Sequence, residues 1–404
     1  MSDEPMPSKA QTPSNGPLAG YRVVELAVWV AGPAAAGLLA EWGASVIKVE
    51  PPSGDPQRNV FGAVGVGDQI GVPPFEIDNR GKQSVVIDVQ TAAGQEQMHA
   101  LLATADVFIT NLRPMALERL ELDHASVTAR YPQLVYGSLT GYGLQGPDRD
   151  RAGYDIGAFW ARSGMAHTFV APDQLPPAIR SGVGDHVTGV TLAAGVLAKL
   201  LERERTGSGG LVATSLLRSG IYTLGWDIGI QLRFGKREST RSRERSRAPL
   251  MNCYRAGDGR AFWLLTLEGD RHWPNLLAAL DQPELADDAR YTTAKDRLAN
   301  SVELIAALDT LFGKRTYDSI VASFDEHDVW WAPINSIVDV IEDPQARAAG
   351  AFVNMLAHDG EQPYVAVNSP VDFGDPVVER GRVPKLGKHT DEVLRSLGHG
   401  QPAS

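Results

Sequence analysis

Residues 21–50 read YRVVELAVWVAGPAAAGLLAEWGASVIKVE, and this stretch decides the fold. RVVEL is a short apolar strand, AVWVAGP a connection, AAAGLLAEWGA an Ala- and Leu-rich helix, and SVIKVE a second strand. Strand, helix and strand in so short a span make a βαβ unit. The alternation continues outward. SVVIDV (84–89) reads as a strand, TAAGQEQMHALLATA as a helix, DVFITN (106–111) as a strand, PMALERLEL and HASVTARYP as helices, and LVYGSLTGYG (134–143) as a strand. Such a sequence predicts an α/β fold whose parallel sheet is covered on both faces.

Beyond this core, GVTLAAGVLAKLLERER (189–205) has apolar residues at helical spacing and stops at the Gly-rich TGSGG, which predicts a long helix. KRESTRSRERSR (236–247) is a basic, polar stretch that reads as a solvated loop. APLMNCYRAGDGRAFWLLTL after it reads as a new hairpin. The expected organisation is a frayed polar terminus at 1–16, a large domain beginning at 17–225, a smaller α+β domain at 226–334, and a return to the large domain at 335–404 through the amphipathic LGKHTDEVLRSLG. The glycine run GAVGVGDQIG (62–71) reads as a loop.

Composition narrows the function. The 404 residues carry 38 Lys and Arg against 49 Asp and Glu, a net charge of −11 that repels phosphate backbones and anionic lipid, so no nucleic acid and no membrane is expected as partner. The single cysteine, Cys253, excludes an internal disulfide and a cysteine-held metal, and the nine histidines show no H-E-x-x-H spacing. With a polar, acidic start in place of a leader, a cytoplasmic protein is expected. A dinucleotide site is disfavoured: AVWVAGPAAAG lacks the three glycines of a pyrophosphate cradle, and Pro33 has no N–H to give.

The ordered blocks GYRVVELAVWVAGPAAAGLLAEWGASVIKVEPPSGDPQR, DNRGKQSVVIDVQTAAG, ADVFITNLRPMALERLEL, YPQLVYGSLTGYGLQGP, RAGYD, GVGDHVTGVTLAAGVLAKLLERERTGSGG and LGKHTDEVLRSLG run from about Leu18 to Gly398. Together they resemble the class III coenzyme A transferases, a family that includes formyl-CoA, carnitine and bile-acid CoA transferases and the related α-methylacyl-CoA racemases. The resemblance implies a large Rossmann-like domain built from both chain ends, a smaller domain, and an interlocked homodimer. It implies no permanently bound cofactor, with coenzyme A or acyl-CoA entering as substrate and a carboxylic acid as acceptor.

By position in those blocks, the resemblance places the family's nucleophilic aspartate at Asp185. It puts Trp29 and Val30 along the pantetheine and thioester, Arg58, Asn79 and Lys82 at the adenosine end, and Asn111, Leu112 and Arg119 along the rest of the nucleotide cleft, with Arg113 and Arg151 as weaker candidates. Family members often carry glutamine where Val30 stands. An aspartate with an ordinary pKa of ~3.9 is ionised at neutral pH and needs no base before attacking a thioester. Gly182 and Gly184 beside it would allow close approach and leave N–H groups for an oxyanion. Family racemases place a histidine where Tyr154 stands, and His186, directly after Asp185, does not face the same point. Transfer is therefore expected, with racemisation, or CoA binding without catalysis, as the alternatives.

Overall fold

The computed structural model describes residues 16–63, 71–235, 240–355, 364–374 and 383–399. The expectations for 1–15, for the glycine run at 64–70 and for 236–239 of the basic stretch fall outside the described residues. Two compact units are present, one from 1–166, 177–237 and 348–404, the other from 167–176 and 238–347. The boundary differs from the expected 226–334: the helix Gly225–Phe234 belongs to the first unit, and the second extends through the helices Ile337–Glu342 and Pro344–Ala348 up to Arg347.

The first unit is built on a six-stranded sheet. Its strands are β1 (Arg22–Leu26), β2 (Ser45–Glu50), β3 (Gln83–Val86), β4 (Val107–Thr110), β5 (Val135–Thr140) and β6 (Gly210–Ser215). They lie in the order β3-β2-β1-β4-β5-β6, with every pairing parallel. This is the Rossmann-like order, which reverses direction between β1 and β4 and leaves a crevice at the carboxyl ends of those strands.

The two-residue period of the strands explains the two covered faces. Val23, Val46, Val107 and Val135 point into one core with the helix α1 (Ala31–Glu41) and the helix Val183–Thr206. Val24, Ile47, Val85, Phe108 and Tyr136 point into the other, with the helix Ala92–Leu102 and Val393 and Leu394 of the C-terminal helix. The start of that C-terminal helix also covers the sheet edge: the β3 N–H groups of Ser84 and Val86 donate to His389 Nδ1 and Thr390 Oγ1 at 3.1 and 2.9 Å.

The helix Val183–Thr206 starts earlier than its apolar spacing suggested, so Asp185 lies inside its first turn. Two glycines let it do so. A Cβ on Gly189 would stand 3.0 Å from Ala34 Cβ, where this helix crosses α1, and one on Gly184 would stand 2.6 Å from the Phe159 ring. Gly182 precedes the helix at φ +86°, the left-handed region that favours glycine.

The second unit pairs β7 (Cys253–Arg255), β8 (Ala261–Leu264) and β9 (Trp331–Pro333) as an antiparallel sheet. Its core gathers Tyr254, Phe262, Phe312 and Phe324 at ring distances of 5.0–6.3 Å. Trp273 is buried in this core, whereas Trp263 and Trp330 are exposed.

Candidate active site

A cleft of about 240 Å³ opens at the carboxyl ends of β1, β4 and β5, where the strand order reverses. Val28–Ala31 form one wall, Asn111–Pro114 the next, and Thr140, Gly141, Arg149 and Arg151–Tyr154 the rim, with Asp185 facing in from its helix.

The first wall is held in an unusual conformation. Trp29 has φ +64°, rare for a bulky side chain and costly by about 1–3 kcal/mol unless its surroundings fix it. Here the fixing groups are visible. Its N–H donates to Asp55 Oδ1 at 3.1 Å, and Asp55 Oδ2 is 2.9 Å from the buried Lys48 ammonium. The Asn111 amide clamps the neighbouring residue, accepting from Val28 N–H at 3.0 Å and donating to Val28 C=O at 2.6 Å. Trp29 then meets Tyr154 edge to face at 6.4 Å across the cleft. Val30 caps α1, its carbonyl accepting from Ala34 N–H at 2.7 Å.

The structure therefore gathers Trp29, Val30, Asn111, Leu112 and Asp185 around one cavity, together with Arg113 and Arg151. Lys82, Asn79 and Arg58 do not line it. Lys82 is buried and donates to Glu25 Oε2, Pro33 C=O and Asn79 Oδ1 at 2.6, 2.9 and 3.0 Å. Asn79 is buried with it and gives its own N–H to Phe75 C=O. Arg58 grips Glu50 with two hydrogen bonds of 2.6 and 2.7 Å, donates to Pro384 C=O, and stacks on Phe75. These three are bonded to carboxylates and carbonyls of the scaffold, outside the lining of this cleft. Arg119 lies on the exposed last turn of the helix Pro114–Arg119, against Met115 Sδ, outside the cleft wall.

Asp185 is half-buried at the third position of a 24-residue helix, where the helix dipole favours a negative charge. Burial, then the neighbouring Asp155 carboxylate, nevertheless push its pKa up to about 7, with Asp78 adding to the rise and His186 opposing it. No lysine or arginine takes part. The ordinary carboxylate value assumed from sequence does not hold.

Asp155 is a member of the site that sequence reading passed over, although RAGYD was singled out for its tyrosine. Its buried carboxylate accepts from Gly182 N–H at 2.9 Å and Ile156 N–H at 2.7 Å, pinning the turn just ahead of Asp185. Gly182 consequently has no N–H to offer an oxyanion, contrary to expectation. The N–H groups of Gly184 and Asp185 in the first turn find no acceptor among the described residues, and four such donors are left open at a helix start. Arg149, also unanticipated, lines the rim and is paired with Glu118 and Asp150 at 3.0 Å. Arg113 has no carboxylate partner among the described residues, and Arg151 reaches Asp148 only at 3.7 Å.

Among the described residues no helix is long and apolar enough to cross a membrane. The model of CoA-transferase family III matches residues 18–390. The chain is 35% identical over 389 residues to (R)-2-hydroxy-4-methylpentanoate CoA-transferase of Clostridioides difficile, covering 95% of this chain and 96% of that protein. It is 31% identical over 386 residues to cinnamoyl-CoA:phenyllactate CoA-transferase of Clostridium sporogenes, covering 94% and 93%. A CAIB/BAIF family protein from Brucella suis has the same fold, with a TM-score of 0.81 at 32% identity over 95% of this chain and 100% of that one. The chain belongs to CoA-transferase family III, with coenzyme A thioesters as its substrates and CoA transfer as its family activity.

Proposed function

We propose that this protein moves coenzyme A from an acyl-CoA donor to a carboxylic acid, with Asp185 as covalent nucleophile. The observation that carries the proposal is the Asp185 carboxylate itself, half-buried in the cleft without a lysine or arginine partner among the described residues. An ion-paired carboxylate is stabilised in its ground state, whereas this one loses little on forming a neutral ester-like bond.

The steps balance without a cofactor. A carboxylate oxygen of Asp185 attacks the thioester carbonyl, the C–S bond breaks, and a mixed aspartyl anhydride and CoA thiolate result. The thiolate attacks the aspartyl carbonyl and releases the donor acid, leaving an aspartyl-CoA thioester. The acceptor carboxylate displaces CoA to give a second anhydride, and the thiolate then takes the acceptor's acyl group and frees Asp185. The open N–H groups of Gly184 and Asp185 are suited to the oxyanions. Trp29, Val30 and Leu112 would line the pantetheine and thioester, and Arg113 and Arg151 would face its anionic groups.

Two of the relatives are named for transfer to 2-hydroxy acids with apolar side chains. The exposed aromatic edges of Trp29 and Tyr154 at the cleft support an acceptor of that kind here. The family's interlocked homodimer is supported by the helix Gly225–Phe234, which buries none of its residues although Trp226 is 84% and Leu232 82% exposed. Light scattering should return the mass of two chains.

The test is to incubate the protein with acyl-CoA donors and a panel of acids, including 2-hydroxy-4-methylpentanoate, phenyllactate and glutarate, in heavy water. New thioesters of an acceptor acid are expected. Deuterium entering the donor's α-carbon without a new thioester would establish racemase chemistry instead, and binding of CoA without either signal would leave a non-catalytic binder.

A further inference from the structure

The helix Pro73–Asn79 packs tightly on α1, so that a Cβ on Gly37 would stand 2.6 Å from Asp78 C=O. This packing delivers the buried Asp78 carboxylate to the first turn of the Val183–Thr206 helix. His186, next to Asp185 on that turn, places Nε2 3.1 Å from Asp78 Oδ1, and its ring lies beside Gly182, where an added Cβ would be 3.5 Å from Cε1. The glycine thus leaves room for the ring. The two residues are 108 apart in sequence, and nothing in the steps above uses either.

The charges around this contact are unbalanced. Asp78 faces His186 from the Pro73–Asn79 helix, Asp185 shares its turn, and Asp155 comes in from the start of the helix Asp155–Ala161. Lys82 also faces Asp78, but its ammonium is already bonded to Glu25. Three carboxylates therefore converge, and the imidazole of His186 is the group among them that can carry a positive charge. The hydrogen bond to Asp78 holds its proton more tightly than an ordinary imidazole does.

We propose that His186, held as an imidazolium by the buried Asp78 carboxylate, is a positioning residue that keeps Asp185 ionised and ready to attack. This rests on the reading of Asp185 as nucleophile. The imidazolium offsets the negative charge of Asp78 and Asp155; once it is neutral or absent, the nucleophile retains its own proton to higher pH.

The experiment is single-turnover release of CoA from a thioester across about pH 5.5–9, for the wild type, His186→Gln, Asp78→Asn and the double variant. A one-unit rise in the acid limb is expected for His186→Gln, lowering the rate near pH 6.5 roughly tenfold and near pH 8.5 much less, with a smaller rise of the same sign for Asp78→Asn. The double variant should shift less than His186→Gln, since it also removes the Asp78 charge that raises the Asp185 value. NMR of the histidine ring supplies a readout apart from turnover, with His186 titrating above ordinary imidazole in the wild type and lower in Asp78→Asn. A uniform loss at every pH, or an unmoved His186 titration in Asp78→Asn, would overturn the proposal while leaving Asp185 as nucleophile. Failure of wild-type Asp185 to form an acyl adduct would overturn both.

Discussion

Glu25, Asp55 and Glu50, buried beside β1 and β2, each meet a cation: Lys48 at 2.7 and 2.9 Å for the first two and Arg58 at 2.6 Å for the third. Asp185, Asp155 and Asp78, each carried by a helix, face one histidine. The first group is a scaffold. Its charges are cancelled in place, and through Asp55 they fix the left-handed backbone of Trp29. The second group keeps an excess of negative charge in a partly desolvated cleft, which raises the energy of an ionised Asp185. Compensated carboxylates hold shape, and an uncompensated one is poised to react.

That contrast can be broken at either end. Asp185→Ala should lower CoA transfer by at least ~10³-fold while CoA still binds, a loss of the order seen when a covalent nucleophile is removed; steady-state rates and CoA titration check it. In the compensated group, Lys48→Met strips Asp55 of its cation in the interior and leaves Glu25 with Lys82 alone. Removing one partner of a buried pair costs about 3–5 kcal/mol, so denaturant unfolding should show a large drop in midpoint, with weakened CoA binding as Trp29 loosens.

A smaller effect comes from the helix start. Gly184→Ala drives a methyl into the Phe159 ring, and overpacking of this kind costs about 1–3 kcal/mol, measurable as a lower melting temperature together with reduced turnover.

The smallest test concerns Asp185 without chemistry. Its native pKa, about 7, lies above the unfolded value, so the protonated form contributes stability that is complete below pH ~4 and lost as pH rises through about 7. Asparagine keeps a neutral side chain at every pH. Asp185→Asn should therefore melt at higher temperature than the wild type above pH ~7, with the gap closing on acidification. Equal melting temperatures at pH ~8 would place Asp185 with the compensated group.

The sheet was legible because its signals are local. RVVEL and SVIKVE carry strand patterns and AAAGLLAEWGA a helical one, and tertiary packing agrees with each. The start of the Val183–Thr206 helix was not legible, since two glycines and two valines around Asp185 weaken helix propensity. Close packing on Phe159 and α1, available only to glycine, overrides that preference. Asp185 was singled out by its sequence block, but its environment was not legible, because Asp155 and Asp78 reach it by folding. The scaffold bonds of Arg58 and Lys82 were not legible for one reason. Lys82 looks like a phosphate ligand until Glu25, 57 residues away, is brought against it, and no spacing rule carries that pairing.

The most direct measurement is peptide mass spectrometry after mixing the protein with acyl-CoA thioesters and quenching with hydroxylamine. The account predicts a hydroxamate at Asp185, formed with particular thioesters and absent at Glu25, Glu50, Asp55, Asp78 and Asp155. A protein that transfers CoA while Asp185 stays unmodified, or that carries the hydroxamate on one of those other carboxylates, would contradict it.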